Sequence, residues 1–477
     1  MTLSVSLSNA LSGLSAASRA ADLVSSNIAN ALTPGYGPRA PALSARALGG
    51  VAVEGVQRDV DPVLVADRRQ ADAARAGAEA ERGFLSRLER LIGGPDDPGA
   101  LSARVAEFEA ALTSAAGDPA APQRLEASVM AAERLASGLR DAAEGVQAMR
   151  AEADGDIAGM VDRMNAGLAR VQDLNSTIVA TDARGQDTAG LLDRRQQAID
   201  GLAELVPLRE VARPGGAVAL YTAGGAALLD GTAAEIGFDP SPVVTATLRA
   251  ETGGLSGLTI DGRTPGPGAF DGGALESRFA LRDDLAVSAQ TGLDALARDL
   301  VARVGDDLPD ASRPPGAPGL FTDAGAAFDP GTEAGLAGRI AVNDAVRPEA
   351  GGAAWRLRDG LGAAGPGSAG DGSLLGAMRD ALAERRAPVS DGFGPTPRGV
   401  GALAADLSAQ VATRGQAAEA RQSHAAARHS ELVEAEGRAG VDTDDELQSL
   451  LLIEQTYGAN ARMIRAIDEM MDTLTRL

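Results

Sequence analysis

Two histidines, one glycine-rich hexapeptide and one acidic run are the residues in this chain whose types and spacing invite chemistry. His424 and His429 are five apart, which sets them about 140° apart around a helix, on different faces. They form no HExxH pair, so a zinc-protease site is not encoded. Their Ala/Arg/Glu surroundings read as a solvated helix, and a surface role is expected for both. Gly360-Leu361-Gly362-Ala363-Ala364-Gly365 satisfies GxGxxG, yet Pro366-Gly367 follows in place of the helix that would receive a pyrophosphate. Among 59 glycines a chance match is the better account. Asp442 to Glu446 suggests calcium until the loop is counted out. An EF-hand needs Gly at its sixth position and Glu at its twelfth, where Leu447 and Ile453 stand.

The missing residue types exclude more. There is no cysteine, hence no disulfide, thiolate nucleophile or Cys zinc site. There is no lysine either. All 44 cations are arginine, and the lysine of a P-loop has no counterpart. No catalytic group, cofactor site or metal ligand set emerges, and the chain reads as a non-enzyme.

What remains is adhesion between helices. Leu450, Tyr457, Ile464 and Met471 recur every seven residues, and Ile453, Asn460, Ile467 and Leu474 form a second series offset by three. Such a seam predicts a helix that packs against another helix along its length. Asn460 is its one polar member, a residue type that sets register at some cost in stability. Thr443-Asp444-Asp445-Glu446 reads as a capping box that starts the helix, with Thr443 capping and Glu446 reaching back. The other end of the chain carries a matching seam: Leu7, Leu14, Ala21 and Ile28, with Ala10, Ala17, Val24 and Ala31. The alanines let a partner backbone approach closely. Isolated helices of this length are marginal in water, so the two are expected to dock on each other and on neighbouring copies.

The 477 residues suffice for about three domains. A formal charge of −22 argues against general nucleic-acid binding, which needs a basic surface. No run of eighteen apolar residues exists, so no membrane insertion is expected. The first cation is Arg19, and Ser and Asn interrupt the apolar residues before it, so no cleaved signal peptide is expected. With only 3% aromatic residues, cores must be built from Leu, Val, Ile and Ala.

In order along the chain, Pro34 and Gly35 end the first helix, and residues 50–56 alternate like a short strand. Residues 62–205 are mostly helical, broken at Gly93-Gly94-Pro95 and Gly117-Asp118-Pro119. Val161, Met164, Leu168, Val171 and Ile178 make one stripe, with Asn175 in its gap. Val218 to Thr222 and Val243 to Glu251 lean to strands between glycine turns. A helix is expected from about Ala274 to Val304, a Gly/Pro/Asp-rich stretch follows, and helix resumes by Gly401. The fold class is multidomain and mainly α. Terminal coiled-coil helices (1–61 and 441–477) pair with each other. A long-helix bundle comprises 62–206, 273–305 and 398–440. A small antiparallel β domain (207–272 with 306–397) is inserted.

Three stretches resemble known proteins. Leu11-Ser12-Gly13-Leu14, Ser26-Asn27-Ile28-Ala29-Asn30 and Thr33-Pro34-Gly35-Tyr36 resemble the N-terminal signature of bacterial flagellar rod, hook and hook-associated proteins, although Gly37-Pro38-Arg39 departs from the usual continuation. Leu191-Leu192-Asp193-Arg194-Arg195-Gln196, continuing to Leu205-Val206, is similar to the helix closing the helical domain of the hook-associated protein 1 family. Leu450-Leu451-Leu452, Glu454-Gln455, Tyr457, Ala459-Asn460-Ala461-Arg462, Ile464 and Asp468-Glu469-Met470 resemble that family's C-terminal helix, with Gly458 in place of a larger residue. The resemblance implies an extracellular structural subunit of the flagellum, at the hook–filament junction. It implies export by the flagellar type III apparatus, a cytoplasmic export chaperone, self-association, and contact with hook protein and a second hook-associated junction protein. A hook or distal-rod protein, or an exported enzyme or adhesin with flagellar-like ends, are the alternatives.

Overall fold

The computed structural model describes residues 3–47, 49–94 and 96–476. Pro95, read above as part of a helix break, lies outside them, as do the outermost positions of both terminal segments. Helix α1 (Leu3–Asn30) ends in a turn where the Thr33 N–H bonds the Asn30 carbonyl at 2.8 Å and Gly35 takes a φ of 74°. Strands β1 (Arg39–Ala45) and β2 (Val51–Arg58) then form an antiparallel ribbon. β2 is the alternating stretch of the sequence; its partner β1 carries Pro41 and has no alternation to announce it.

Helix α2 (Pro62–Ile92) starts conventionally. The Asp61 carboxylate accepts from the Val63 and Leu64 N–H groups at 2.9 and 3.2 Å, with proline at the first helical position. It stops at Gly93, φ 85°, where a Cβ would lie 2.4 Å from the Ala100 Cα, so the chain can turn there only as glycine. Helices α3 (Leu101–Gly117), α4 (Pro122–Asp182) and α5 (Ala189–Ala203) follow. At 61 residues α4 is roughly 90 Å long, and both hydrophobic cores form along it. Its stripe of Val161, Met164, Leu168, Val171 and Ile178 is buried as the spacing predicts. Asn175 in the gap has a specific task. Its amide donates to the Val218 carbonyl at 2.8 Å and its Oδ1 accepts from the Val218 N–H at 3.2 Å, docking a strand on the helix.

That strand belongs to a four-stranded antiparallel meander of β3 (Leu208–Ala212), β4 (Val218–Thr222), β5 (Ala227–Asp230) and β6 (Thr232–Ala233). β7 (Ile236–Gly237) and β8 (Thr259–Ile260) pair separately. Val243 to Glu251, expected as a strand, is irregular. Its Thr245 and Leu248 carbonyls accept from Arg150 at 2.9 and 2.8 Å, so a buried guanidinium replaces the ladder.

The helix expected near 274–304 is α6 (Gly273–Ala280) continued by α7 (Ala286–Val301), with π-turns at Leu281–Leu285 and Ala302–Asp306. Each π-turn carries an arginine with no exposed surface. Arg282 meets Asp154 at 2.5 Å and Asp283 at 2.8 Å, donates to the Ser256 carbonyl, and lies over the rings of Phe238 and Phe279. Arg303 bonds Asp299 and the carbonyls of Ala381, Glu384 and Arg398. The extra residue of a π-turn re-aims a side chain; here it turns each guanidinium inward.

The rest of the chain adds β9 (Phe321–Asp323), α8 (Leu336–Arg339), β10 (Ile340–Val342), α9 (Arg356–Asp359), α10 (Ser373–Ala383), α11 (Val400–Ala439) and α12 (Thr443–Thr475). Residues 306–397 resemble 207–272 in composition and touch it where Gly335 comes close to Ala246. Their Phe321, Leu336, Ile340, Leu375 and Met378 join the core of α3, α7 and the first half of α4. Strands β3, β4 and β5 cover a second core, with α5 and the second half of α4. At the GxGxxG match, the Leu361 and Gly362 N–H groups bond Asp310 and Ser312, so the chain itself takes the donors that an anion would use. The molecule is a mainly α, multidomain structure with long terminal helices and small antiparallel sheets in its middle.

Candidate assembly interface

α1 and α12 lie side by side and antiparallel. Asn27, near the end of α1, donates to Glu446 at the start of α12 at 2.6 Å. Fourteen residues away along each helix, Gly13 faces Asn460 so closely that a Cβ would lie 2.8 Å from the Asn460 amide nitrogen. Two heptads thus separate two contacts in one register. Val24 and Ile467 are buried; Leu7, Leu14, Ala21, Ile28, Ile453, Asn460 and Ile464 are half-buried. Leu450, Tyr457, Met471 and Leu474 stay 37–59% exposed. The structure therefore brings Ile453, Asn460, Ile464 and Ile467 onto α1, leaves Leu450 and Tyr457 on the side facing water, and carries Met471 and Leu474 past the described part of α1. Leu447 and Leu451 widen that exposed apolar face.

The start of α12 differs from the capping box expected at Thr443. Asp442 is the cap, accepting from the Asp444 and Asp445 N–H groups at 2.9 and 3.3 Å. Glu446 is thereby free to cross to α1. There it meets the polar centre of the region, Asn27, which is 1% exposed. The Asn27 amide also donates to the Arg39 carbonyl, and its Oδ1 accepts from the Tyr36 hydroxyl at 2.8 Å and the Arg39 N–H at 3.0 Å. One side chain so joins α1, the turn after it, β1 and α12. Seam spacing could not reveal Asn27, which lies off both heptad series; its signal was the Ser26–Asn30 signature alone.

A second junction fastens this unit to the long helices. The Asp193 carboxylate takes Arg39 at 2.5 Å, Arg58 at 2.7 Å and the Gly37 N–H at 3.2 Å. Arg58 also donates to Gln196. Arg195 turns the other way, to Asn175 and the Gly216 carbonyl. Beside it, Arg68 meets Asp72, Asp200 and Glu436, and Arg69 meets Asp200 and Glu210. Burial lowers the Arg68 pKa, but Asp200, Glu436 and Asp72 together carry it above its ordinary value. His429, expected as a solvated residue, belongs here as well: its Nε2 lies 2.8 Å from Asp72, because α11 packs antiparallel on α2. His424 is exposed.

Asp193 is the keystone of that junction, since its removal strands two largely buried arginines. Asp193→Ala should loosen residues 35–60 by about 3 kcal/mol, the cost of breaking a buried pair from one side. Amide exchange should speed up there at least tenfold while the α3–α4 core keeps its protection.

Among the described residues no group of three or more His, Cys, Asp or Glu side chains could hold a metal ion, and no helix is long and apolar enough to cross a membrane.

Comparison with known proteins fits this layout. Residues 85–306 match the helical domain of flagellar hook-associated protein FlgK. Residues 7–36 match the flagella basal body rod protein family, and residues 437–477 match the C-terminal region of the flagellar basal body rod FlgEFG proteins. Flagellar hook-associated protein 1 of Escherichia coli is 27% identical over 243 residues, and that of Salmonella typhimurium 29%. In both cases the match covers 48% of this chain and 43% of the relative, so it spans less than half of either protein. The flagellar hook junction protein FlgK of Burkholderia pseudomallei superimposes with a TM-score of 0.44 at 21% identity, over 54% of this chain and 46% of that one. With a hook-associated helical domain set between two rod-type terminal segments, this chain is similar in layout to the flagellar hook-associated proteins.

Proposed function

We propose that this chain is a structural subunit joining the flagellar hook to the filament, and that it polymerises through its terminal helices. The observation that carries the reading is the hook-associated helical domain at 85–306, set between rod-type ends. The apolar side of α12 supports it. Leu450, Tyr457, Met471 and Leu474 are the seam positions that α1 leaves open, and neighbouring copies would cover them. In this reading 1–61 and 441–477 form the assembly unit, and Leu7, Leu14, Ala21, Val24, Ile28, Ile453, Asn460, Ile464 and Ile467 hold its two helices together. The chain leaves the cytoplasm through the flagellar type III apparatus with a dedicated chaperone. It then sits outside the cell between hook protein and a second junction protein. Its work is adhesive, with no catalytic step.

Imaging a deletion strain tests this. Hooks without filaments, restored by the wild-type chain, are the expected result. Normal filaments in the deletion strain would sink it.

A further inference from the structure

The space bounded by α2, α5 and β3, just below the Asp193 junction, is a cleft of about 820 Å³. Its walls are apolar, with Val65, Ile199 and Leu208 all buried, while its polar groups are unevenly satisfied. The single carboxylate lining it, Glu210, is held by Arg69 at 2.7 Å. Arg195 is 8% exposed and bonds only through Nη1, leaving Nε and Nη2 without a partner among the described residues. Arg209 on the rim is exposed and has no ion pair there. In a chain of net charge −22 this is a cationic, grease-walled socket with unspent donors.

The complementary surface is the far end of α12. In the register set by Asn27–Glu446 and Gly13–Asn460, Leu3 of α1 comes opposite Met470, so Met471 and Leu474 overhang the described part of α1. Both, and Met470, are 48–59% exposed on the side that Ile467 buries lower down. Asp468, Glu469 and Asp472 flank them, exposed and without ion pairs among the described residues. The overhang cannot reach its own cleft. From Glu446, beside the junction, to Leu474 the helix runs roughly 42 Å away from it.

We propose that residues 468–474 of one copy seat in the α2–α5–β3 cleft of another, their carboxylates meeting Arg195 and Arg209 and their Met and Leu side chains meeting the apolar walls. Joining unlike ends of neighbouring molecules makes a heterologous contact, which propagates along a tube instead of closing a dimer. The proposal rests on the assembly role above and adds a second contact to the helix seams.

The absence of native cysteine makes the test clean. Gln70→Cys on the cleft rim and Met471→Cys on the overhang are both exposed positions, so neither should disturb folding. Flagella isolated from cells carrying the double variant are oxidised and run under denaturing, non-reducing conditions. A ladder of covalent dimers and higher multimers that neither single variant gives is the expected outcome. Double-variant chain present in the hook fraction at wild-type amounts but remaining monomeric overturns the socket and leaves the junction role standing. Wild-type chain absent from the hook fraction overturns both. In a second arm, Arg209→Glu should lower retention in that fraction at least tenfold, and an unchanged amount counts against the socket.

Discussion

Cells whose only copy carries Ile467→Asp should secrete the chain yet bear hooks without filaments. Ile467 is the one α12 side chain buried against α1, at 4% exposure. Burying an isoleucine contributes about 1.5–3 kcal/mol, and a carboxylate in its place adds a desolvation cost on top. The terminal pair is two helices with little else beneath them, so a loss of that size separates them. Ile464→Asp, half-buried one turn earlier, should lose assembly with a smaller effect on the isolated chain. Leu451→Ser, on the side that faces away from α1, should leave the chain's own pair intact. Helical content and secretion, measured beside filament counts, distinguish these outcomes. Normal filaments with Ile467→Asp would remove the seam from the assembly mechanism.

Asp154→Ala should cost the helical domain about 3–5 kcal/mol, the penalty for stripping one partner from a buried ion pair. Asp154 is 1% exposed; it accepts from Arg282 at 2.5 Å and from the Ser241 N–H at 2.6 Å. Arg150 lies in the same interior. Burial first, then nearby Arg249 and Arg282, push its guanidinium down to about 10 against the pull of Asp283 and Asp154. Taking away Asp154 leaves two buried cations with Asp283 as their remaining close carboxylate. Adding Arg282→Met to Asp154→Ala should recover part of the loss, because an apolar side chain of similar length needs no counter-charge. Chemical denaturation of the single and double variants checks both statements. A double variant no more stable than Asp154→Ala would mean that Arg282 acts mainly through the Ser256 carbonyl it holds.

Much of the architecture was legible because it rests on local periodicity. The sevenfold spacing at both ends, the α4 stripe and the glycine and proline breaks each specify an element from a few neighbouring residues. The flagellar resemblance also rested on short contiguous runs, and one of them, Leu191–Gln196, holds the residues that fasten the terminal unit to the long helices. Long-range partners were another matter. The Asn27–Glu446 bond joins residues 419 apart in sequence, and nothing in the spacing of either seam names it. Glu446 looked like part of a capping box because a one-dimensional reading offers it only Thr443.

The arginines show the same division most plainly. A chain with few aromatics was expected to fill its cores with aliphatic residues, yet Arg150, Arg282 and Arg303 are among its largest fully buried side chains. Arg150 and Arg282 reach carbonyls of the irregular stretch after β7, and Arg303 gathers the end of α10 and the Arg398 carbonyl. A buried carbonyl must be bonded, and a guanidinium with five donors can serve several at once. The sequence by itself determined the helices, their seams and the flagellar resemblance. Only the tertiary structure decided which arginines go inside, that α1 and α12 run antiparallel, and that one side of α12 is left bare. Helix and seam follow from neighbours a few residues apart, whereas burial of a charge depends on which distant carbonyls and carboxylates the finished fold delivers to it.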